Sequence, residues 1–248
     1  MEKISKGLHH IALKLHQLWI LEGNIGGGKS TVLKYLHEQI NCKIYPEPVE
    51  KWTDWAGGNL LQEYYDSPSR WCFTFQSAVM LTLMQRRLNL ECNIVVSERS
   101  LDSVEKIFIP YAVKHSFLQQ AESEILHGYL SLFKTDYNVT EPVKRIYIRC
   151  SPLQCYERIL KRNRKEEMTI SLYQLVELHE LHEKWLNTED VAIFDGEKPI
   201  QQVVHDIKNF ILDNCAGYSE NDHKSERGEP ILKRCCNTYI KNQNSIKK

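Results

Sequence analysis

No stretch of this chain stays apolar for the ~18–20 residues that a membrane-spanning helix needs, so no membrane partner is expected. Neither sign of charge is in excess: 32 Lys and Arg face 32 Asp and Glu. A protein that grips a nucleic acid normally carries a basic surplus, so no nucleic-acid partner is expected either. Any anion it holds must be held by a local cluster of charge. The eight cysteines contain no C-x-x-C pair, and no group of His and Cys has the spacing of a zinc site. They read as reduced thiols in a reducing compartment. The triplet Asn138-Val139-Thr140 then reads as a chance match to a glycosylation site. There are no internal repeats.

What the chain does have is a core. With 248 residues, 42% of them hydrophobic, it fits one large α/β domain or two small ones. Leu18-Trp19-Ile20-Leu21 is a short apolar run stopped by Glu22-Gly23, the pattern of a strand buried on both faces. Similar runs predict strands at Cys42–Tyr45, Asn93–Val96, Arg145–Arg149 and Val191–Phe194. Helical spacing predicts helices over 29–40, 68–90, 152–163, 170–186 and 199–214. In the longest of these Pro68 suits the first turn, and Phe75, Val79, Leu83 and Leu88 recur on one side. Strands alternating with helices imply a three-layer α/β/α fold with a central parallel sheet of five strands.

Residues 1–17 form an extension in which Lys3, Lys6 and Lys14 are interspersed with Ile4, Leu8, Ile11 and Leu15. Glu2 and the lack of Arg argue against a transit peptide, so the cytoplasm is expected, with the mitochondrion as the alternative. After Gly217 the composition turns polar. Residues 217–248 are predicted to be a disordered tail outside a domain spanning 18–216.

Gly23-Asn24-Ile25-Gly26-Gly27-Gly28-Lys29-Ser30 matches G-x-x-x-x-G-K-[ST] in full, and Thr31 follows it. The match lies between a predicted buried strand and a predicted helix, where the mechanism requires it. Backbone N–H groups of the loop and the helix N-terminus would wrap a phosphate. Lys29 would bridge the β- and γ-phosphates of ATP, and Ser30 would offer its hydroxyl to Mg²⁺. The fold is therefore expected to be P-loop NTPase-like.

Two other strands end in charge: the second runs into Glu47-Pro48-Val49-Glu50-Lys51-Trp52, the third into Ser97-Glu98-Arg99-Ser100. In an open parallel sheet these ends share the carboxyl edge with the phosphate loop. Glu47, Glu98 and Arg99 are thus expected to meet in one crevice. There a carboxylate can take a proton from an acceptor hydroxyl and a guanidinium can steady transferred charge.

With these segments the chain resembles the deoxynucleoside kinase family, of the insect multisubstrate and mitochondrial thymidine kinase type. The resemblance rests on GNIGGGKST, EPVEKW, NLLQEYYDSPSRWCFTFQSAVMLTL, SERS, YERILKRNRKEE and LHELHEKWL, in that order over residues 19–196, roughly 70% of the chain. It implies ATP-dependent phosphorylation of a deoxyribonucleoside 5′-hydroxyl, in nucleoside salvage, by a homodimer. It also implies roles: Glu47 as general base with Arg99 beside it, and Glu98 as a Mg²⁺ partner of Ser30. Tyr65 and Glu167 would hold the sugar 3′-OH, and Gln76 the edge of the base. Trp52, Tyr64, Val79, Leu83, Val104 and Phe108 would line the base pocket. Relatives selective for deoxycytidine carry an Arg and an Asp where this chain has Leu83 and Val104, so thymidine or mixed pyrimidine use is expected. A side-chain amide serves either base by turning over.

Arg158, Lys161, Arg162 and Arg164 crowd the end of one predicted helix. Beside a phosphate loop they read as a lid, with Arg162 and Arg164 nearest the transferred group and Arg158 on the nucleotide. Trp71, Phe73 and Phe75 read as core rather than ligand contacts, and His179 and His182 as packing residues. Two departures from the family stand out. Ser103-Val104-Glu105-Lys106 reverses charge where relatives read Ser-x-Arg-Tyr, and Gly128-Tyr129 stands where they carry Glu-Trp. Together they imply changed packing near the sugar, a changed dimer contact, and altered specificity or efficiency rather than loss of activity. Two other readings stay open: a nucleoside monophosphate kinase, or a diverged nucleotide-binding relative without activity.

Overall fold

A computed structural model describes residues 17–85, 94–136 and 143–215. The expected N-terminal extension (from residue 16 back), polar tail, Asn138 triplet and the end of the 68–90 helix lie outside them. The strands are β1 (Gln17–Glu22), β2 (Lys43–Tyr45), β3 (Ile94–Glu98), β4 (Val143–Arg149) and β5 (Val191–Asp195). They form one sheet in the order β2-β3-β1-β4-β5, and every pairing is parallel. The expected α/β architecture is therefore observed. β1 is central, flanked by β3 with Leu21 opposite Glu98 and by β4 with Glu22 opposite Tyr147. A strand hydrogen-bonded on both sides and covered on both faces must be apolar throughout, and Leu18 to Leu21 are all buried.

Alternation along β1 sorts its side chains between two layers. Trp19 meets Phe210 of α10 (Ile200–Asp213) edge-on at 5.6 Å. Leu18 and Ile20 join Val95 in a cluster on the opposite face. α1 (Lys29–Gln39) packs against α10, β1 and β3, burying Val32, Leu33 and Leu36. Burial of each such side chain is worth about 1.5–3 kcal/mol.

The chain between β2 and β3 was read only in part. Besides α4 (Pro68–Met84), which begins at its proline as expected, it forms α2 (Val49–Thr53) and α3 (Leu60–Asp66). Helices of five and seven residues are too short for periodicity to reveal. The Asn59 side chain caps α3 by accepting from Gln62 N at 3.0 Å. After β3 come α5 (Leu101–Ser103), a π-helical turn (Val104–Phe108) and α6 (Ile109–Lys114). Pro110 accounts for the wide turn, since it has no N–H to donate and its ring would press on the carbonyl four residues earlier. The amide of Ile109 instead reaches Val104 O.

α7 (Gln120–Asp136) follows; its Leu126 and Leu130 are buried in a cluster shared with α4. α8 (Pro152–Arg162) and α9 (Leu172–Leu186) begin at Ser151 and Ser171, whose hydroxyls accept from Gln154 N and Gln174 N. A single 3₁₀ turn (Lys165–Glu167) joins them.

α8 is pressed onto the phosphate loop. Gly26 has φ 77°, and a Cβ there would lie 2.4 Å from the carbonyl oxygen of Cys155. Gly26→Ala should therefore cost on the order of 1–3 kcal/mol from strain and overpacking. In a domain of this size that is a fall of several degrees in Tm, at about 2–4 °C per kcal/mol, in a thermal melt. An unchanged melting temperature would show that α8 yields freely to the loop.

Candidate active site

The loop after β1 turns on Gly23, Gly26 and Gly28, all at positive φ. Gly28 caps α1 in the left-handed region and contributes no side chain, and the first turn has no acidic residue. The amides of that turn are thus left for an anion. Lys29 is buried and folds back along the loop, donating to Gly23 O at 2.9 Å and Asn24 O at 2.8 Å. Burial first, then the Arg99 charge, lowers its ammonium to about 8. Ser30 donates to Glu98 Oε1 at 2.8 Å, and the other oxygen of Glu98 accepts from Glu47 N at 3.4 Å. β3 thereby ties the phosphate loop to the segment after β2.

Opposite the loop, Glu47 Oε1 lies 2.9 Å from Arg99 Nε in an ion pair. Arg99 is buried, with its guanidinium 4.8 Å from the centre of the Phe108 ring. Its backbone is left-handed, φ 59°. Tyr65 sits between carboxylates: burial above all, then Glu167 and Glu47, pushes its phenol well above the ordinary range. Glu167, buried on the 3₁₀ turn, accepts from Arg162 with one oxygen and from Arg164 at 2.6 Å with the other.

The charged and aromatic side chains just described border one cavity of about 830 Å³, within the usual range for small-molecule sites. One end holds Lys29, Ser30, Thr31, Glu47, Glu98 and Arg99, with Ile25, Gly26 and Gly28. The other is walled by Trp52, Tyr64, Val79, Leu83, Val104 and Phe108, with Tyr65 and Gln76 among them. Gln76 is buried, and its Oε1 has no hydrogen-bond partner among the described residues. Such an atom is costly unless a ligand meets it. Arg158, Arg162, Arg164 and Glu167 border the same space.

Not every expected site residue borders this cavity. Gly23, Asn24 and Gly27 are not among the residues bordering this cavity. Gly23 and Asn24 support Lys29 through their carbonyls, and the Asn24 amide donates to Leu175 O at 2.8 Å. Arg158 donates to Gly196 O at 2.8 Å, so its head is tied to the loop after β5. Phe75 belongs to the buried core, as expected. It stacks on Tyr64 at 4.7 Å and meets Trp52 edge-on, yet also borders the cavity.

The family model of the deoxynucleoside kinases matches residues 19–217. The chain belongs to the deoxynucleoside kinase family. It is 33% identical over 167 residues to the mitochondrial thymidine kinase 2 of Homo sapiens, a match covering 67% of this chain and 63% of that protein. It is 35% identical over 178 residues to a probable deoxycytidine kinase of fowlpox virus, covering 71% and 74%. With deoxycytidine kinase 2 of Gallus gallus it shares 32% identity over 213 residues, covering 75% and 80%.

Sequence reasoning missed three parts of this kinase site. A second cavity of about 150 Å³ lies on the far flank of the phosphate loop, bordered by Gly27, Gly28, Thr31, Arg158, Gly196 and Lys198. A signal was available, since Gly196 follows β5 on the same carboxyl edge as the other strand ends. Tyr111, Gln174 and Leu178 border the main cavity from α6 and α9 and carried no sequence signal. Glu22, fully buried at the end of β1, was read only as a strand terminator.

His182, by contrast, is a packing residue as expected. It is buried, donates from Nδ1 to Leu178 O at 2.6 Å, and stacks on Tyr147 at 6.1 Å. Burial, then the Arg99 charge, lowers its imidazole from 6.5 to about 3. A His that is neutral when folded and basic when unfolded gives stability that is complete above 6.5 and lost as pH falls toward 3. Between those values the unfolded chain binds the extra proton, at about 1.4 kcal/mol per pH unit. The melting temperature of His182→Gln should therefore fall less than that of the wild type between pH 7 and 5. Equal falls would exclude His182 as the source.

Proposed function

We propose that this kinase transfers the γ-phosphoryl group of ATP to the 5′-hydroxyl of pyrimidine deoxyribonucleosides, for nucleoside salvage. One observation carries the reading. The Glu47 carboxylate and the Arg99 guanidinium, 2.9 Å apart, face the same cavity as Lys29 and Ser30, and a buried unpartnered amide oxygen stands at the other end.

The chemistry follows from these positions. With the triphosphate on the loop amides, Lys29 swings from its backbone carbonyls to the β- and γ-phosphates. Ser30 and Glu98, two hard oxygen ligands 2.8 Å apart, suit Mg²⁺, whose charge offsets that on the phosphate oxygens. Glu47 takes the proton of the attacking 5′-hydroxyl, and Arg99 steadies negative charge on the transferred group. Tyr65 and Glu167 receive the 3′-hydroxyl. Arg162 and Arg164, already held by Glu167, are the lid over the phosphoryl group, and the small cavity beside Gly196 suits the nucleoside half of ATP.

The Gln76 carbonyl suits an N–H donor such as that of thymine, and its amide turned over suits cytosine. Leu83 and Val104 place no fixed charge beside it. A nucleoside monophosphate kinase is disfavoured, because Glu47 and Glu167 would repel a dianionic acceptor. A non-catalytic role has no use for Glu47 and Arg99 together with Lys29, Ser30 and Glu98.

We further propose a homodimer through α4 and α7. Leu81, Ile125, Tyr129 and Leu132 are exposed there, the last by 64%, and the last three share one face of α7. A Cβ at Gly128 would meet nothing within 4 Å, so the Gly-Tyr departure flattens this face; sedimentation as a monomer would exclude the dimer. A cytoplasmic location fits the buried thiols of Cys72, Cys150 and Cys155, which form no disulfide among the described residues, and cell fractionation checks it.

The deciding assay couples ADP release to the four deoxynucleosides and to thymidine monophosphate. Thymidine and deoxycytidine should turn over, and the monophosphate should not. Glu47→Gln should lower turnover by about 100-fold or more, the scale of a lost general base, with unchanged ATP binding. An unaffected rate would remove Glu47 from the chemistry.

A further inference from the structure

Glu22 takes no part in the steps above, yet it ends the central strand and is wholly shielded from solvent. Its Oε1 accepts from Ser100 Oγ at 2.7 Å and from Ser103 Oγ at 3.4 Å. Its Oε2 has no partner among the described residues. Burying a carboxylate this deeply is costly unless something depends on it. Burial lifts the group to about 7, opposed mainly by the nearby Arg99 charge and then by Ser100 and Lys29.

The two serines belong to the turn that aims Arg99. Arg99 has φ 59°, a left-handed conformation that side chains with a Cβ rarely adopt. Such a residue persists only where its surroundings leave it no alternative. Here the surroundings include Ser97, whose hydroxyl donates to Arg99 O at 3.3 Å, and two consecutive residues of β1. Leu21 O accepts from Arg99 N at 3.0 Å, and the Glu22 carboxylate accepts from Ser100. Ser100 and Ser103 close a reciprocal cap on α5, Ser100 N donating to Ser103 Oγ at 3.2 Å. Leu21 supplies a backbone bond that any residue would supply. The Ser100 hydroxyl is met by the side chain of Glu22, which comes from the strand that carries the phosphate loop.

We propose that Glu22 is a positioning residue for phosphoryl transfer: by holding Ser100 it fixes the left-handed turn at Arg99, and so the aim of that guanidinium at Glu47 and the transferring group. This rests on the kinase reading of the site. Glu22 touches neither substrate, so its loss acts on turnover rather than on nucleotide affinity. The requirement is for an accepting oxygen at this depth, which Gln also provides and Leu does not.

The test is steady-state kinetics with thymidine and ATP for the wild type, Glu22→Leu, Glu22→Gln, Ser100→Ala and the Leu/Ala double variant. Wild-type turnover is measured first, and its absence on every deoxynucleoside would sink the kinase reading itself. Given turnover, Glu22→Leu should lower kcat by about 10- to 100-fold, the cost of a small misplacement. Its KM for ATP should stay within about twofold, because no contact to the nucleotide is lost. Glu22→Gln should recover most of the loss. Ser100→Ala should share the defect, and the double variant should be no worse than the Leu variant alone, because both remove the Glu22–Ser100 bond, which can be lost only once.

Should Glu22→Leu fail to fold, Ser100→Ala and Glu22→Gln carry the comparison. An activity-independent readout is the Arg99 Nε–H resonance of nitrogen-labelled protein, which should shift or broaden in Ser100→Ala and stay in place in Glu22→Gln. A wild-type kcat in Ser100→Ala, a defect confined to KM, additive losses in the double variant, or an unmoved Arg99 resonance in Ser100→Ala would each overturn the proposal.

Discussion

A buried guanidinium must be met by carboxylates, and the organisation of this molecule around Arg99 follows from that need. Arg99 sits at the end of β3 with Glu47 at 2.9 Å, from the segment after β2. Glu98 beside it binds Ser30 of the phosphate loop and the backbone of Glu47. Three strand ends that are remote in the chain are thereby locked into one charged floor. The parallel sheet makes this possible, because every strand delivers its carboxyl end to the same edge. Were one strand antiparallel, its terminal charge would emerge at the opposite side of the molecule.

Above that floor the site divides by polarity. The phosphate end is built from backbone amides and fixed charges on strand ends and one helix terminus. The far end is built from side chains of α2, α3, α4 and the π-helical turn, packed by aromatic contacts among Trp52, Tyr64 and Phe75. Trp52 also donates from Nε1 to Thr82 Oγ1 at 3.1 Å, pinning α2 to α4. Glu167 binds Arg162 with one oxygen and Arg164 with the other. The arginines proposed as a lid are thus tied to the same carboxylate proposed to receive the sugar.

The sheet and the phosphate loop were legible because their signals are local and redundant. An apolar run, a glycine-rich turn and a helical period occur together between Leu18 and Ile40. Glu47, Glu98 and Arg99 were legible through position, as charges immediately after predicted strands. The short helices α2 and α3 were not, since five to seven residues carry no measurable period. The π-helical turn was not, because nothing but Pro110 marks it. Phe75 was legible as core but not as cavity wall: a helical aromatic that packs the core and one that borders a ligand cavity look alike in a sequence, and this one does both. Glu22 looked like a polar strand terminator, and only depth distinguishes a strand end at the surface from one beneath a helix. The reversed charges Glu105 and Lys106 pair with each other at 3.5 Å, a local arrangement that residue types alone did not predict.

The wide turn at Val104–Phe108 also bears on how such a pocket can diversify. An α-helix advances about 100° per residue, so one residue more or less rotates everything beyond it by that angle. Loss of a single residue from this turn would carry a different set of side chains to the wall where Val104 and Phe108 now stand. Chain length at this point is therefore a second coordinate of selectivity, able to replace a whole wall in one step where substitutions alter it one side chain at a time.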